Sequence, residues 1–183
     1  MAELVVENLV LSARIDNSLD LDEVDNAFED VSYEPEKLPA VVFYYHNPSR
    51  VVFITTTGNM VCTGSKTEKD AINALNETID ALKEKEIIKE KTELSPTLES
   101  LVVSKNLNVS LPLDSIQTQL PSDQCTYQPS IHPWLEYRKS TYSMLLFSSG
   151  NIICTGKISL DESKDAFRKI EDTLTSIGCK VAE

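Results

Sequence analysis

The side chains of this chain that could take part in recognition are amides, hydroxyls and aromatic rings in strand-like segments. Asn8 lies within an apolar, β-branched run, where an amide is unfavourable unless it is used. Thr63 and Thr155 occupy equivalent places in two similar segments, and Phe147 lies just before the second of them. Because such groups act by hydrogen bonding and stacking, we predict a binding protein.

The sequence does not predict an enzyme, a metal site or a cofactor site. It contains neither a Ser/His/Asp set nor a glycine-rich phosphate loop. The four cysteines form no C-x-x-C pair, and only two histidines are present. We therefore predict free thiols that are mostly buried.

The charge of the chain is acidic and unevenly distributed. The formal net charge is −12. Residues 1–93 hold nine basic and nineteen acidic side chains, whereas residues 94–183 hold eight and ten. A net negative charge is unfavourable for binding a polyanion such as a nucleic acid. An anionic partner is therefore expected to contact mainly the second half or a local basic patch.

Two segments of the chain resemble each other without a gap. Residues 53–64 and 145–156 each read as a strand, a Gly-Asn turn and a second strand. Gly58 and Gly150, Cys62 and Cys154, and the glycines that close the two segments are all 92 residues apart. A self-match of this length predicts a duplicated unit, with repeats at residues 1–93 and 94–183.

Each predicted repeat contains a long first strand, a short helix, further strands and a long helix. In the first repeat we predict strands at 4–15, 41–45, 51–56 and 60–63, with a helix at 19–28 that Ser18 or Asp20 caps. A second helix runs from Thr67 to about residue 86, and residues 87–97 form a linker. The second repeat begins with a strand at 101–109 and ends with a helix from about Ser159 to Gly178.

Alternation divides each predicted sheet into two faces. Met60 and Cys62 fall on one face, and Val61 and Thr63 fall on the other. The long helices can cover one face, which leaves a face of mixed apolar and polar residues. A bare sheet of this size predicts a binding partner.

The chain resembles the TATA-binding protein family over nearly its whole length. The resemblance is carried by residues 8–12, 19–21 and 33–36 and by the hairpins at 57–66 and 149–156. It implies an α+β fold in which a pseudo-twofold duplicated saddle presents a curved antiparallel sheet, with helices on its convex side. The resemblance is to an archaeal-type, divergent member of the family.

In this family the concave sheet binds an unwound minor groove, and the resemblance implies the residues that would do so. They are the hydrogen-bonding Asn8, Thr63 and Thr155, their counterpart Ser100, and the apolar Phe53, Val61 and Ile153. Of the four phenylalanine wedges of the family only Phe147 is in place, because the other positions hold Leu38, Thr55 and His132. Trp134 stands where the family usually has glycine.

The same resemblance implies contacts with phosphates and with other proteins. Lys66, Arg138 and Lys157 match backbone-contacting basic residues. The partners are double-stranded promoter DNA, a transcription factor B-like protein and the RNA polymerase initiation complex. Gln128 and Ser130 replace the acidic stirrup on which transcription factor B docks in the family. A homodimer that hides the concave face is a further state of the free protein.

Simpler interpretations of several residues remain open. Phe147 can be an ordinary sheet aromatic, and Thr63 and Thr155 can be plain strand formers. His132 can stack on a sugar or lie in a solvated loop, and Trp134 can be a replacement wedge or a protein contact. At the level of the whole protein, the alternative to a DNA-bending initiation factor is a protein-binding transcription regulator with weak or no DNA binding.

Neither a membrane span nor a signal peptide is predicted. The longest apolar runs are shorter than the roughly 18 residues that a membrane helix needs. We therefore predict an intracellular protein, in the cytoplasm or nucleoid of an archaeon or in the nucleus of a eukaryote.

Overall fold

The computed structural model describes residues 3–90 and 93–179. Within these residues, each repeat forms five strands and two helices. The first contains β1 (Val5–Arg14), α1 (Leu21–Ala27), β2 (Val31–Tyr33), β3 (Ala40–His46), β4 (Ser49–Thr55), β5 (Asn59–Ser65) and α2 (Glu68–Glu84). The second contains β6 (Thr97–Asn106), α3 (Leu113–Gln119), β7 (Cys125–Tyr127), β8 (Trp134–Arg138), β9 (Tyr142–Phe147), β10 (Asn151–Gly156) and α4 (Leu160–Ser176).

The strands of each repeat are antiparallel and follow the same order. In the first repeat the order is β2-β3-β4-β5-β1, and in the second it is β7-β8-β9-β10-β6. The described residues form two compact units, which we call the first unit (residues 8–90 and 93–99) and the second unit (residues 3–7 and 100–179).

The offset of 92 residues that relates the hairpins also relates the helices. α1 and α3, and likewise α2 and α4, begin and end 92 residues apart. The first strand of the second repeat, predicted at 101–109, begins and ends earlier, because β6 runs Thr97–Asn106 and starts 92 residues after Val5. The predicted linker is correspondingly shorter, and its residues 91 and 92 lie outside the described residues.

Side-chain caps determine where the long helices begin. The Thr67 hydroxyl accepts from the Asp70 N–H at the start of α2. At the start of α4, Ser159 and Glu162 form a reciprocal capping box. Asp20, one of the two predicted caps, accepts from the first backbone N–H groups of α1.

The two long helices end in the same hydrogen-bonded turn but with different residues. After α4, Gly178 has φ +88°, and the N–H groups of Gly178 and Cys179 bond back to the carbonyls of Thr175 and Leu174. After α2, the equivalent left-handed position is held by Glu86, with φ +59°. Because a side chain opposes this conformation and glycine does not, the end of α2 is strained.

Replacing Glu86 with glycine is therefore expected to stabilise the protein. The gain should be roughly 0.5–1 kcal/mol in the free energy of unfolding, since relief of the left-handed conformation outweighs the entropy cost of glycine. Chemical denaturation would measure it, with Gly178→Glu as the reciprocal variant that loses stability. A lower denaturation midpoint for Glu86→Gly would contradict the expectation.

Each sheet buries one set of alternating side chains and leaves the other set partly accessible. Met60 and Cys62 are fully buried, whereas Val61 and Thr63 are half-buried, as predicted. The Tyr45 hydroxyl hydrogen-bonds to Thr78 of α2 at 2.7 Å in the first unit. In the second unit, the Lys105 ammonium group bonds to Glu171 of α4 at 2.6 Å. The helix-facing side of each sheet is thereby defined, and we call the opposite side the open face of that unit.

Candidate nucleic-acid interface

The open face of the first unit brings together most of the site residues predicted there. Phe53 of β4 lies opposite Val61 of β5 in the antiparallel register, and Val51 lies opposite Thr63. All four side chains are half-buried, so they are fixed by their neighbours but still accessible. A face of this kind can make close apolar contacts over several residues.

Asn8 and Thr63, both predicted from the sequence, form a hydrogen-bonded pair on this face. The Asn8 Nδ2 donates to the Thr63 Oγ1 at 3.2 Å. The Asn8 Oδ1 accepts from the backbone N–H of Gly64 at 2.8 Å. The register between β1 and β5 shifts between Leu9 and Leu11, so the amide bridges an irregular step of the ladder. Asn8 therefore has a structural role in addition to any role in binding.

The second unit has a similar open face without this bridge. Ile153 lies opposite Leu145 and Thr155 opposite Ser143, and all four are half-buried. The β6–β10 register is regular throughout, and Ser100 is a half-buried residue of β6. A hydroxyl has one donor where an amide has two, so this unit offers fewer donors at the position equivalent to Asn8.

Three aromatic side chains form one cluster at the outer end of the second open face. Trp134 lies opposite Phe147 in the β8–β9 register, with ring centroids 5.8 Å apart. The His132 ring stacks on Trp134 with a centroid distance of 4.5 Å and an interplanar angle of 18°. The interpretation of His132 as a solvated loop residue was therefore incomplete, because its ring belongs to this aromatic stack.

The corresponding end of the first unit lacks aromatic rings. Leu38 is 39% exposed, and Ala40 lies opposite Thr55 where Trp134 lies opposite Phe147. The Thr55 hydroxyl accepts from the Asn59 N–H at 3.2 Å, which ties it into the hairpin turn. Of Leu38, Ala40 and Thr55, only Leu38 is an accessible apolar side chain. The two units therefore present different side chains at these equivalent positions.

The predicted phosphate contacts lie at the margins of the open faces. Lys66 follows β5 and Lys157 follows β10, and both are exposed. Arg138 lies at the end of β8, where its Nε and Nη2 donate to the two carboxylate oxygens of Glu136, each at 2.8 Å. Arg138 is therefore already paired within the protein.

Glu136 itself was not predicted as a site residue. The hydrogen bonds from Arg138 lower the pKa of the Glu136 carboxyl, which keeps the group ionised at neutral pH. The Ser143 hydroxyl also donates to it, at 3.2 Å. A comparison of the repeats could have revealed this residue, because the position equivalent to Glu136 in the first unit is the apolar Val42.

The predicted partner-binding residues lie in one exposed turn. Gln128 and Ser130 are both exposed, and the Gln128 carbonyl accepts from the N–H groups of Ile131 and His132, each at 2.9 Å. The turn carries no acidic side chain between residues 128 and 133. It therefore presents a surface without acidic groups, in which the apolar Ile131 is 63% exposed beside the polar side chains.

The cysteines are free, as predicted. Burial raises the pKa of Cys154 to about 12, and burial also raises the pKa values of Cys62 and Cys125. These thiols stay protonated at neutral pH, so they are poor nucleophiles and poor metal ligands. Among residues 3–90 and 93–179, no group of three or more His, Cys, Asp or Glu side chains could hold a metal ion. The helices within the same ranges are too short or too polar to cross a membrane.

Comparison with known proteins identifies the family. The family model described as "Transcription factor TFIID (or TATA-binding protein, TBP)" matches residues 3–85 and again residues 95–177. The chain belongs to the TATA-binding protein family. The double match confirms the predicted internal repeat, and members of this family are DNA-binding transcription factors.

Individual members of the TATA-binding protein family support the assignment. The TATA-box-binding protein of Methanosphaera stadtmanae is 34% identical over 178 residues, which cover 96% of this chain and 95% of that protein. The TATA-box-binding protein of Archaeoglobus fulgidus is 30% identical over 179 residues, covering 96% and 97%. The solved structure of Methanococcus jannaschii TBP matches with a TM-score of 0.82 at 30% identity, covering 95% of this chain and 99% of that one. The predicted fold class is thereby confirmed.

Proposed function

We propose that this protein is a general transcription initiation factor that binds A·T-rich promoter DNA in the minor groove and bends it. The observation that carries the proposal is the open face of each unit, where half-buried hydrogen-bonding and apolar side chains lie side by side. Membership of the TATA-binding protein family supports a DNA ligand for these faces.

The chemistry of the open faces suits the minor groove of A·T-rich DNA. That groove offers mainly hydrogen-bond acceptors, and Asn8, Thr63 and Thr155 can supply donors. Val61, Phe53 and Ile153 would make the close apolar contacts, with Ser100 as a weaker polar contact. Phe147 would insert between base steps as an apolar wedge, with Leu38 as the smaller wedge of the first unit. Lys66, Arg138 and Lys157 would contact phosphates.

The remaining partners follow from the same role. A bent promoter would recruit a transcription factor B-like protein and then RNA polymerase. Gln128 and Ser130 would form part of the surface for transcription factor B, because both are exposed in the turn at the position of the family's stirrup. In the absence of DNA, two copies could associate through their open faces.

Energy transfer across a TATA-containing duplex tests the proposal directly. Donor and acceptor dyes at the two ends of the duplex should approach each other when the protein is added, with or without transcription factor B. An unchanged transfer efficiency at micromolar protein and low salt, in both conditions, would overturn the proposal.

A second candidate function is a protein-binding transcription regulator that does not bend DNA. It is favoured by the Arg138–Glu136 ion pair on the open face, because this pair removes a cation from phosphate binding. Thr55 and His132 at wedge positions favour it as well. This candidate predicts that the duplex stays straight both with and without transcription factor B.

Asn8→Asp should separate the structural role of Asn8 from its role in binding. The carboxylate can still accept from the Gly64 N–H, so the free energy of unfolding should change by less than about 1 kcal/mol. It offers no N–H and brings a negative charge to the groove acceptors, so duplex affinity should fall by about tenfold or more.

Asn76→Asp on α2 is the matched control for this substitution. It makes the same change of charge on a helix, away from the open face. Fluorescence anisotropy with a labelled TATA duplex would measure both affinities. Equal losses for the two variants would assign the effect to net charge and remove Asn8 from the binding surface.

A further inference from the structure

Glu136, Arg138 and Ser143 form a polar cluster on the open face of the second unit. Arg138 donates two hydrogen bonds to the Glu136 carboxylate in a planar, two-pronged arrangement. The Ser143 hydroxyl, which lies opposite Arg138 in the register, donates to the same carboxylate. The Arg138 side chain remains 64% exposed, whereas that of Glu136 is 25% exposed. The carboxylate is thus the fixed partner and the guanidinium is the accessible one.

The first unit has no equivalent of this cluster. β8 and β3 are related by an offset of 94 residues, because Glu136 lies opposite Leu145 as Val42 lies opposite Phe53. Glu136 thus corresponds to Val42 and Arg138 to Tyr44, while at the offset of 92 Ser143 corresponds to Val51. Val42 is 9% exposed and carries no charge. β3, the strand of the first unit that is equivalent to β8, therefore forms without such an ion pair. The fold itself does not require a carboxylate at position 136.

A carboxylate at this place competes with any anion that approaches Arg138. Carboxylates and phosphates accept from a guanidinium in the same two-pronged geometry, and Glu136 holds the Nε/Nη2 edge of Arg138, so a phosphate can take that edge only by displacing the carboxylate. When Arg138 turns to a phosphate, Glu136 is left half-buried, without its cation and close to the negatively charged backbone. The loss of the Arg138–Glu136 bonds and the repulsion between Glu136 and the phosphates both reduce the free energy that an Arg138–phosphate contact adds to DNA binding.

We propose that Glu136 is an intramolecular competitor of the DNA phosphate for Arg138, and that it limits the affinity and the salt dependence of DNA binding by the second unit. This inference rests on the proposed DNA-binding function. Glu136 is a positioning residue here, because it acts through Arg138 and needs no contact with the DNA.

Glu136→Gln removes the negative charge and retains the shape of the side chain. Without the competing carboxylate, Arg138 can contact a phosphate in full. The affinity for a TATA duplex should rise by about three- to tenfold at low salt, and log K should fall more steeply with log salt by about one unit of slope. Fluorescence anisotropy titrations at several salt concentrations would measure both quantities.

Asp165→Asn is the matched control. It also adds one unit of positive charge and releases an arginine, Arg168, but both residues are exposed on α4. For Asp165→Asn, the slope of log K against log salt should stay the same as in the parent protein. A steeper slope for both variants would mean that net charge alone controls binding, and this outcome would overturn the proposal.

A double-mutant cycle assigns the effect to Arg138. Arg138→Ala in the Glu136→Gln background should lower affinity by about three- to tenfold and restore the parent slope, because it removes the phosphate contact that Glu136→Gln released. An unchanged slope for Glu136→Gln, or a steeper slope that survives Arg138→Ala in that background, would overturn the proposal while leaving DNA binding itself intact.

The same titrations separate this inference from the proposed function. If Glu136→Gln binds the duplex and the parent protein does not, the competition is supported and the parent protein is not a DNA-binding factor on its own. If neither protein binds, both ideas are overturned.

Discussion

Replacing Phe147 with alanine is expected to abolish most of the DNA bend and to lower duplex affinity by roughly tenfold to a hundredfold. An aromatic ring stacked on a base contributes about 1–3 kcal/mol, and a wedge between base steps also holds the bend open. The equivalent residue of the first unit is Thr55, whose hydroxyl is bound within its own hairpin turn. The first unit therefore cannot compensate for the loss of this ring.

The experiment compares Phe147→Ala with Phe147→Leu by energy transfer on the same duplex. Leucine keeps an apolar wedge, so it should retain part of the bend, whereas alanine should not. Unfolding curves of both variants would verify that they are folded under the assay conditions. If the alanine variant bends DNA as the parent does, Phe147 is an ordinary sheet aromatic, and Trp134 becomes the residue to test.

Replacing Gly150 with alanine is expected to lower the free energy of unfolding by roughly 3 kcal/mol or more. Gly150 has φ +87°, which by itself costs a residue with a side chain about 1 kcal/mol. A Cβ at this position would also lie 2.2 Å from the carbonyl oxygen of Val109. Backbone atoms cannot move aside as the end of a flexible side chain can, so the hairpin or the β6–α3 connection would have to shift.

Gly178 provides a control with the same backbone angle. Its φ is +88°, and a Cβ there would meet nothing within 4 Å. Gly178→Ala should therefore cost only the conformational part, about 1 kcal/mol. Denaturant titrations of the two variants would separate the steric cost from the conformational cost. Equal losses for Gly150→Ala and Gly178→Ala would show that the turn relaxes around the new methyl group.

The duplication made much of the fold predictable from the sequence. The offset of 92 residues relates both pairs of helices, and alternation assigned Met60 and Val61 to opposite faces correctly. The start of β6 was missed because the segment from Thr97 to Ser100 is mostly polar and gives no local strand signal. The offset itself would have predicted it, since β1 begins at Val5.

Contacts between side chains were harder to predict than the strands themselves. The bond from Asn8 to the Gly64 N–H depends on a shift of register between β1 and β5, and no local pattern indicates such a shift. The Arg138–Glu136 pair requires both side chains to lie on one face of β8 with their termini in contact. The stack of His132 on Trp134 depends on the turn that precedes β8. These features arise from geometry that only the folded chain defines.

The aromatic stack on one unit also bears on how the protein distinguishes the two ends of its target. A protein with the same wedge in both units would bind a near-palindromic duplex in either orientation with a similar binding free energy. Here the rings of Phe147 and Trp134 belong to the second unit, and the first unit has Thr55 at the position equivalent to Phe147, so we expect the rings to favour the base step that unstacks most easily, such as TA or CA. We expect the position of that step to determine which way the bound protein points. Transcription assembled on it would then proceed in a single direction.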